Sequence, residues 1–168
     1  MESKEGRRER HRMPCAVHLF LERGEEVLLL RRYQTGYEDG KYSVVAGHLD
    51  GGEEVKAAMI REAREEAGIG LDPDDLQIVQ VMHRRSEEER IDFFLSCSRW
   101  SGDIRNCEPE KCDELRWVRR DELPGNVIPY IRQALANYRD GVRFASFGWD
   151  SATVESPEGE TGGSGIHG

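Results

Sequence analysis

Apolar side chains along this chain come in short blocks, and the spacing inside each block indicates the element it builds. Residues 15–21 (CAVHLFL) and 26–32 (EVLLLRR) are compact, β-prone runs, and the Glu22-Arg23-Gly24-Glu25 stretch between them has the composition of a hairpin turn. Residues 42–46 (YSVVA) make a short strand after a polar, glycine-containing loop, 33–41 (YQTGYEDGK). Further on, 76–84 (LQIVQVMHR) alternates apolar and polar positions, 90–100 (RIDFFLSCSRW) is rich in Ile, Phe and Leu, and 113–118 (DELRWV) is a shorter strand. Two stretches carry helical spacing instead. In 54–67, Met59, Ala63 and Ala67, helped by Ile60, form an apolar stripe, and Gly68 stands where a left-handed cap belongs. In 130–138, Ile131, Ala134, Leu135 and Tyr138 repeat at i, i+3, i+4. Residues 139–149 extend the chain with some strand character. Strands before, between and after two helices, several joined by hairpins, predict an α/β fold: a mixed β-sheet with helices on both sides.

Composition trims this picture at both ends. The first 13 residues hold five basic and three acidic side chains and almost nothing apolar, and the stretch from 150 onward is rich in Ser, Glu, Pro and Gly. Both ends are expected to be disordered, leaving one domain over 14–149. The whole chain has 168 residues, 37% of them hydrophobic and 34% charged, with a net charge of −9. An acidic domain disfavours long nucleic acid, because phosphates are repelled. Small phosphorylated ligands remain compatible, since a bound cation reverses the local sign. No apolar run reaches the length of a membrane span, and no basic start leads into an apolar signal segment. The expected location is the cytoplasm. Cys15, Cys97, Cys107 and Cys112 form no dense framework, so reduced thiols are expected; Cys107 and Cys112 lack two further ligands for a zinc site.

The chemistry concentrates in residues 47–69, GHLDGGEEVKAAMIREAREEAGI. A glycine-rich turn opens into the first helix, on which Glu62 and Glu66 lie one turn apart with Glu65 beside them. Like charges at this spacing, near the helix end of the wrong polarity, weaken the helix. Either Arg61 and Arg64 neutralise a solvated face, or the carboxylates hold a divalent cation. Hard oxygen ligands on one or two carboxylates suit Mg²⁺, completed by waters and substrate phosphates.

The residues also resemble the Nudix box. Gly47, Glu53, Arg61, Glu62, Glu65, Glu66 and Gly68 fill its fixed positions, with Ala63 and Ile69 at its apolar ones; Ala63 is smaller than the usual aliphatic. The resemblance implies a Nudix-type α/β/α sandwich over roughly 14–145. It also implies a Mg²⁺-dependent hydrolase, with Mn²⁺ able to substitute, that cleaves a diphosphate bond in a nucleotide. Glu62, Glu65 and Glu66 are the implied metal ligands, joined by the Ala46 carbonyl. Glu65 and Glu66 are also the implied catalytic carboxylates, and Arg61, paired with Glu53, would orient them. Arg32 falls where some members contact nucleotide or phosphate. The general base stays open between a box carboxylate and Glu108, Glu110, Asp113 or Glu114 in a later loop. Trp117 matches a position near a base pocket and reads equally well as core. His48 replaces a glycine of the family pattern and reads as a surface residue.

The implied partner is a small-molecule nucleotide or nucleoside diphosphate derivative, with neither nucleic acid polymer nor membrane; members are often dimers, which leaves a homodimer open. ADP-ribose hydrolases often carry a proline around Arg84–Ser86, and dinucleoside polyphosphate hydrolases a tyrosine there; this chain has neither. Elimination therefore favours a nucleoside or deoxynucleoside triphosphate, cleaved to monophosphate and pyrophosphate. The alternatives are another diphosphate-linked compound such as ADP-ribose, or a silent nucleotide-binding module.

Overall fold

The computed structural model describes residues 8–150. The terminal expectations for residues 1–7 and 151–168 lie outside these described residues. Residues 8–14 carry no helix or strand, and His11 Nε2 lies 3.0 Å from Glu89 Oε2.

Strands β1 (Cys15–Arg23) and β2 (Glu26–Arg32) form a hairpin whose turn uses the positive φ of Gly24. Their pairing covers only Glu22↔Val27 and Arg23↔Glu26, after which the two strands diverge. Residues 42–48 enter the gap. Strand β3 (Tyr42–Ser43) pairs with β2, and β4 (Val45–His48) then pairs with β1, with Ala46 opposite His18 and Gly47 opposite Val17. The single strand expected over 42–46 is thus split at Val44, because the chain passes from one diverging strand to the other. This passage carries Gly47 from the middle of the sheet into the box.

Strands β5 (Gln77–Arg85) and β6 (Glu89–Cys97) form a second hairpin, β7 (Cys112–Arg119) pairs along β2, and β8 (Phe144–Phe147) pairs parallel to β5. Strand β6 runs parallel to β1 in the middle of the sheet. All eight strands belong to one mixed sheet, ordered β3-β2-β1-β6-β5-β8, with β4 beside β1 and β7 beside β2.

Helices α1 (Val55–Ala67) and α2 (Pro129–Arg139) cover opposite faces. Alternation along β1 separates the two cores. Val17, Leu19 and Leu21 face α1 with Ala58, Met59, Ala63 and Ala67, whereas Phe20 faces α2 with Phe94, Ile131, Ala134 and Leu135. The apolar centre of β2 is buried on both faces: Leu28 joins the first core, Val27 and Leu29 the second. On α1 the buried stripe is Ala58, Met59, Ala63 and Ala67, and Ile60 only packs against its edge. Ala63 is fully buried, and its small side chain lets the helix lie close on the sheet. The four cysteines are free thiols. Among the described residues, no helix is long and apolar enough to cross a membrane.

Candidate active site

Helix α1 is held at both ends. Glu54 caps its start, the carboxylate accepting from the Lys56 and Ala57 amides at 3.0 and 3.4 Å. At its other end Gly68 takes the left-handed conformation (φ 68°) and its amide returns to the Arg64 carbonyl. The loop after β6 pairs two more of the terminal carbonyls, with the Arg105 amide on Ala67 and the Cys107 amide on Glu66. Two backbone bonds therefore fix the segment that leads to Glu108 against the end of the box helix.

Arg61 is the hub of the helix's polar edge. Its Nε and Nη2 grip Glu53 through both carboxylate oxygens at 3.1 and 2.7 Å, and Nη2 also donates to the His48 carbonyl at 3.2 Å. Its Nη1 donates to Glu62 at 2.7 Å and to Glu65 at 3.4 Å. The guanidinium holds the Glu53 carboxyl below the usual range, and its own pKa is raised in return by Glu53 and then Glu62. The fork thus ties the turn at His48 to the helix and aims Glu62.

Glu62 points at Gly47, where a Cβ would fall on its carboxyl group. Gly47 has an ordinary φ, so glycine is required here for space rather than for conformation. Glu66 lies beside this cradle and accepts the Ala46 amide at 3.0 Å. Loss of water pushes its pKa up to about 8, with repulsion from Glu62 and Glu108 adding to the shift. Burial likewise raises Glu62, against the pull of Arg61. Glu65 is the outer member, an exposed carboxylate reaching Arg61.

The four loop carboxylates separate clearly. Asp113 is bidentate to Arg31 at 2.7 and 3.1 Å, and Glu114 takes both Arg31 and the Tyr42 hydroxyl. Glu110 is exposed. Only Glu108 among the four shares a cavity wall with Glu66. That cavity, of about 370 Å³, is lined on its apolar part by Leu30, Leu115 and Cys112 and elsewhere by Arg32, Gln34, Thr35 and Lys111. Arg32 lies on the wall with its Nε on the Tyr37 carbonyl (2.7 Å) and its Nη2 on Thr35 Oγ1 (3.0 Å). Trp117 is away from the cavity, stacked on Trp100 and covered by the Arg23 guanidinium at 4.3 Å. His48 is exposed and contributes its carbonyl alone. Sequence reasoning did not single out Lys111, because nothing in its loop's composition separates it from a solvated lysine.

Excess negative charge gathers at Glu62, Glu66 and Glu108, and only Glu62 has a cationic partner among the ion pairs of the described residues. Partly buried carboxylate oxygens around a glycine cradle suit Mg²⁺. Among the described residues no cluster of three or more His, Cys, Asp or Glu side chains forms a ready-made cage. Mg²⁺ does not need one, since it keeps waters and substrate oxygens in its shell. Glu62 and Glu66, side by side at the Gly47 cradle, are the residues that would hold it.

A family model described as the NUDIX domain matches residues 10–138. Among relatives, an NAD-capped RNA hydrolase NudC of Stutzerimonas stutzeri is 29% identical over 127 residues, covering 76% of this chain and 43% of that protein. NudC of an Escherichia coli strain is 30% identical over 111 residues, or 66% of this chain and 40% of that one. The chain therefore spans less than half the length of these relatives. Among solved structures, a MutT NUDIX hydrolase from Burkholderia pseudomallei superposes with a TM-score of 0.69 at 26% identity, over 75% of this chain and 98% of that one. A MutT protein from Methanosarcina mazei, at 20% identity, shares the fold with a TM-score of 0.66 over 76% and 94% of the two chains.

Proposed function

Because the chain belongs to the Nudix family, we propose that it is a hydrolase that cleaves a diphosphate bond of a nucleotide substrate, with Mg²⁺ held by Glu62 and Glu66. The observation that carries this reading is the Gly47 cradle, which opens space for the Glu62 carboxyl group beside the partly buried Glu66 at the mouth of a cavity. When bound, the cation neutralises phosphate charge and lowers the pKa of a coordinated water.

The chain's own groups supply the rest. Arg61 locks Glu53 and Glu62 in one orientation, so little reorganisation is needed when charge develops. The Ala46 amide fixes one oxygen of Glu66 and leaves the other for a ligand. In the reaction an oxygen of water bonds to one phosphorus, the bond to the bridging oxygen breaks, and the other phosphate leaves with that oxygen. Glu108 is our choice as acceptor of the water proton, supported by its place on the cavity wall and by the backbone bonds that pin its loop to α1. Glu65 completes the polar edge through Arg61.

Two substrate classes stand side by side. Elimination of sequence markers favoured a nucleoside or deoxynucleoside triphosphate cleaved to monophosphate and pyrophosphate. The name of the NudC relatives favours an NAD-linked diphosphate and brings NAD-capped RNA in as a candidate. A cytoplasmic location completes the proposal. The test is turnover on NTPs, dNTPs, NAD, ADP-ribose and NAD-capped RNA, with Mg²⁺ and with EDTA. Mg²⁺-dependent cleavage of the diphosphate bond supports the reading, and the best substrate selects between the classes. Binding without turnover on every member would favour the silent nucleotide-binding module.

A further inference from the structure

The cavity beyond Glu66 has an unequal wall. Leu30 and Leu115, opposite each other on β2 and β7, give it an aliphatic part, no aromatic residue lines it, and four of its lining residues carry charged side chains: Arg32, Glu66, Glu108 and Lys111. The two cations are not equivalent. Arg32 is committed to the loop that follows it. It donates to the Tyr37 carbonyl and Thr35 Oγ1 and lies over the Tyr37 ring at 5.2 Å. That loop is tied internally, with Asp39 accepting from the Thr35 amide and hydroxyl and from the Gly36 amide. The ion pairs nearby join Arg31 to Asp113 and Glu114, Lys41 to Glu38, and Arg61 to the box carboxylates. Among the described residues, none uses Lys111.

The backbone of Lys111 is nonetheless held firmly. Its carbonyl accepts the Tyr33 amide at 2.8 Å, and its own amide returns to Glu108 at 2.9 Å. Asn106 braces the same turn, its side-chain amide donating to the Cys112 carbonyl at 2.6 Å and its side-chain oxygen accepting the Glu108 amide at 3.1 Å. The Lys111 ammonium therefore stands on a fixed base, in the turn that carries Glu108 and beside the loop that Arg32 orders. Its three donors suit a phosphate as a point charge on a mobile stem. With no aromatic side chain in its lining, the cavity offers no ring on which a base could stack.

We propose that Lys111 binds a phosphate of the substrate that lies beyond the two joined by the cleaved bond, and so selects substrates whose group in this cavity is anionic. This rests on the diphosphate hydrolase reading of the same site. Lys111 is a substrate-binding residue with no part in proton transfer. Its effect falls on KM, and it matters more for a nucleoside triphosphate than for NAD, whose two ends are nucleosides.

The test compares wild type with Lys111→Met and Lys111→Arg. Michaelis constants would be measured on a nucleoside triphosphate and on NAD. The Kd of an α,β-methylene nucleoside triphosphate and of inorganic pyrophosphate would be measured by calorimetry with Mg²⁺. Loss of one charge-assisted contact should raise KM and Kd for the triphosphate about tenfold in the methionine variant, with kcat within about twofold. The arginine variant should recover most of the loss, and NAD should be affected less. Unchanged KM and Kd in Lys111→Met, or no binding of either probe to wild type, would overturn the proposal. Because the probes are read by binding, an inactive wild type would count against the hydrolase reading while the calorimetry still decided the role of Lys111.

Discussion

At the scale of single residues, this site balances function against stability. Glu66 accepts one backbone amide, but burial and two neighbouring carboxylates oppose its charge. A carboxyl whose folded pKa is raised above its unfolded value loses stability as pH rises from the unfolded pKa through the folded one. In EDTA at pH 8, Glu66→Gln should therefore melt higher than wild type, by about 2–4 °C for each kcal/mol of relieved charge, while losing turnover. Equal or lower melting temperatures by calorimetry would sink the account of Glu66 as a strained carboxylate. Gly47→Ala tests the cradle. A Cβ at that position displaces the Glu62 carboxyl group, and displacement by about 1 Å costs roughly 100-fold in kcat/KM. A near-normal rate in a folded Gly47→Ala protein, checked by circular dichroism, would show that the position of Glu62 is not critical.

At the scale of elements, the end of α1 and the loop behind it act together. Gly68 needs a positive φ, and a Cβ there would come within 3.0 Å of Arg105 and 3.1 Å of the Cys107 thiol. Gly68→Ala should therefore cost about 1–2 kcal/mol of stability, read as a lower denaturant midpoint. It should also slow turnover by moving the loop that holds Glu108, whereas Glu54→Ala at the far end should cost about 1 kcal/mol and leave the rate nearly unchanged. Equal rates in the two variants would break the link between this cap and Glu108. Helix α1 was legible in the sequence almost to the residue, because helix formers, an apolar stripe and a terminal glycine agree there. The split of 42–48 into two strands was not, since it follows from the divergence of β1 from β2, which no local pattern encodes. The separation of Glu108 from Asp113 and Glu114 was also hidden. It depends on the β2–β7 register that sets Arg31 opposite Glu114. Lys111 was illegible for a similar reason: its role is set by which loops meet, and its neighbours in sequence say nothing of that.

For the molecule as a whole, the second core contains a buried polar group that couples stability to pH. His18 Nε2 meets the Tyr130 hydroxyl at 3.1 Å, and Arg84 bonds Asp92 at 2.6 Å while lying 3.7 Å over the Tyr130 ring. These side chains join β1, β5, β6 and α2. Burial lowers the His18 pKa to about 4; Asp92 pulls it up, Arg84 and Arg90 push it down, and the Phe93 carbonyl raises it. The unfolded chain protonates this histidine near its ordinary value and the folded one does not, so protons favour the unfolded state. Stability should fall as pH drops from about 6.5 to 4, by about 3 kcal/mol from this residue. Urea midpoints across that range should show the slope in wild type and a shallower one in His18→Gln; identical slopes would remove His18 as the cause.

The account turns on whether Glu66 serves the reaction. The direct measurement is the initial rate of diphosphate cleavage at saturating Mg²⁺, on the best substrate of the panel, for wild type and Glu66→Gln. The predicted result is Mg²⁺-dependent turnover in wild type and a loss of at least about 100-fold in the variant, the scale expected when a group that stabilises developing charge is removed. A folded Glu66→Gln protein that keeps its rate within a few-fold of wild type would contradict the account.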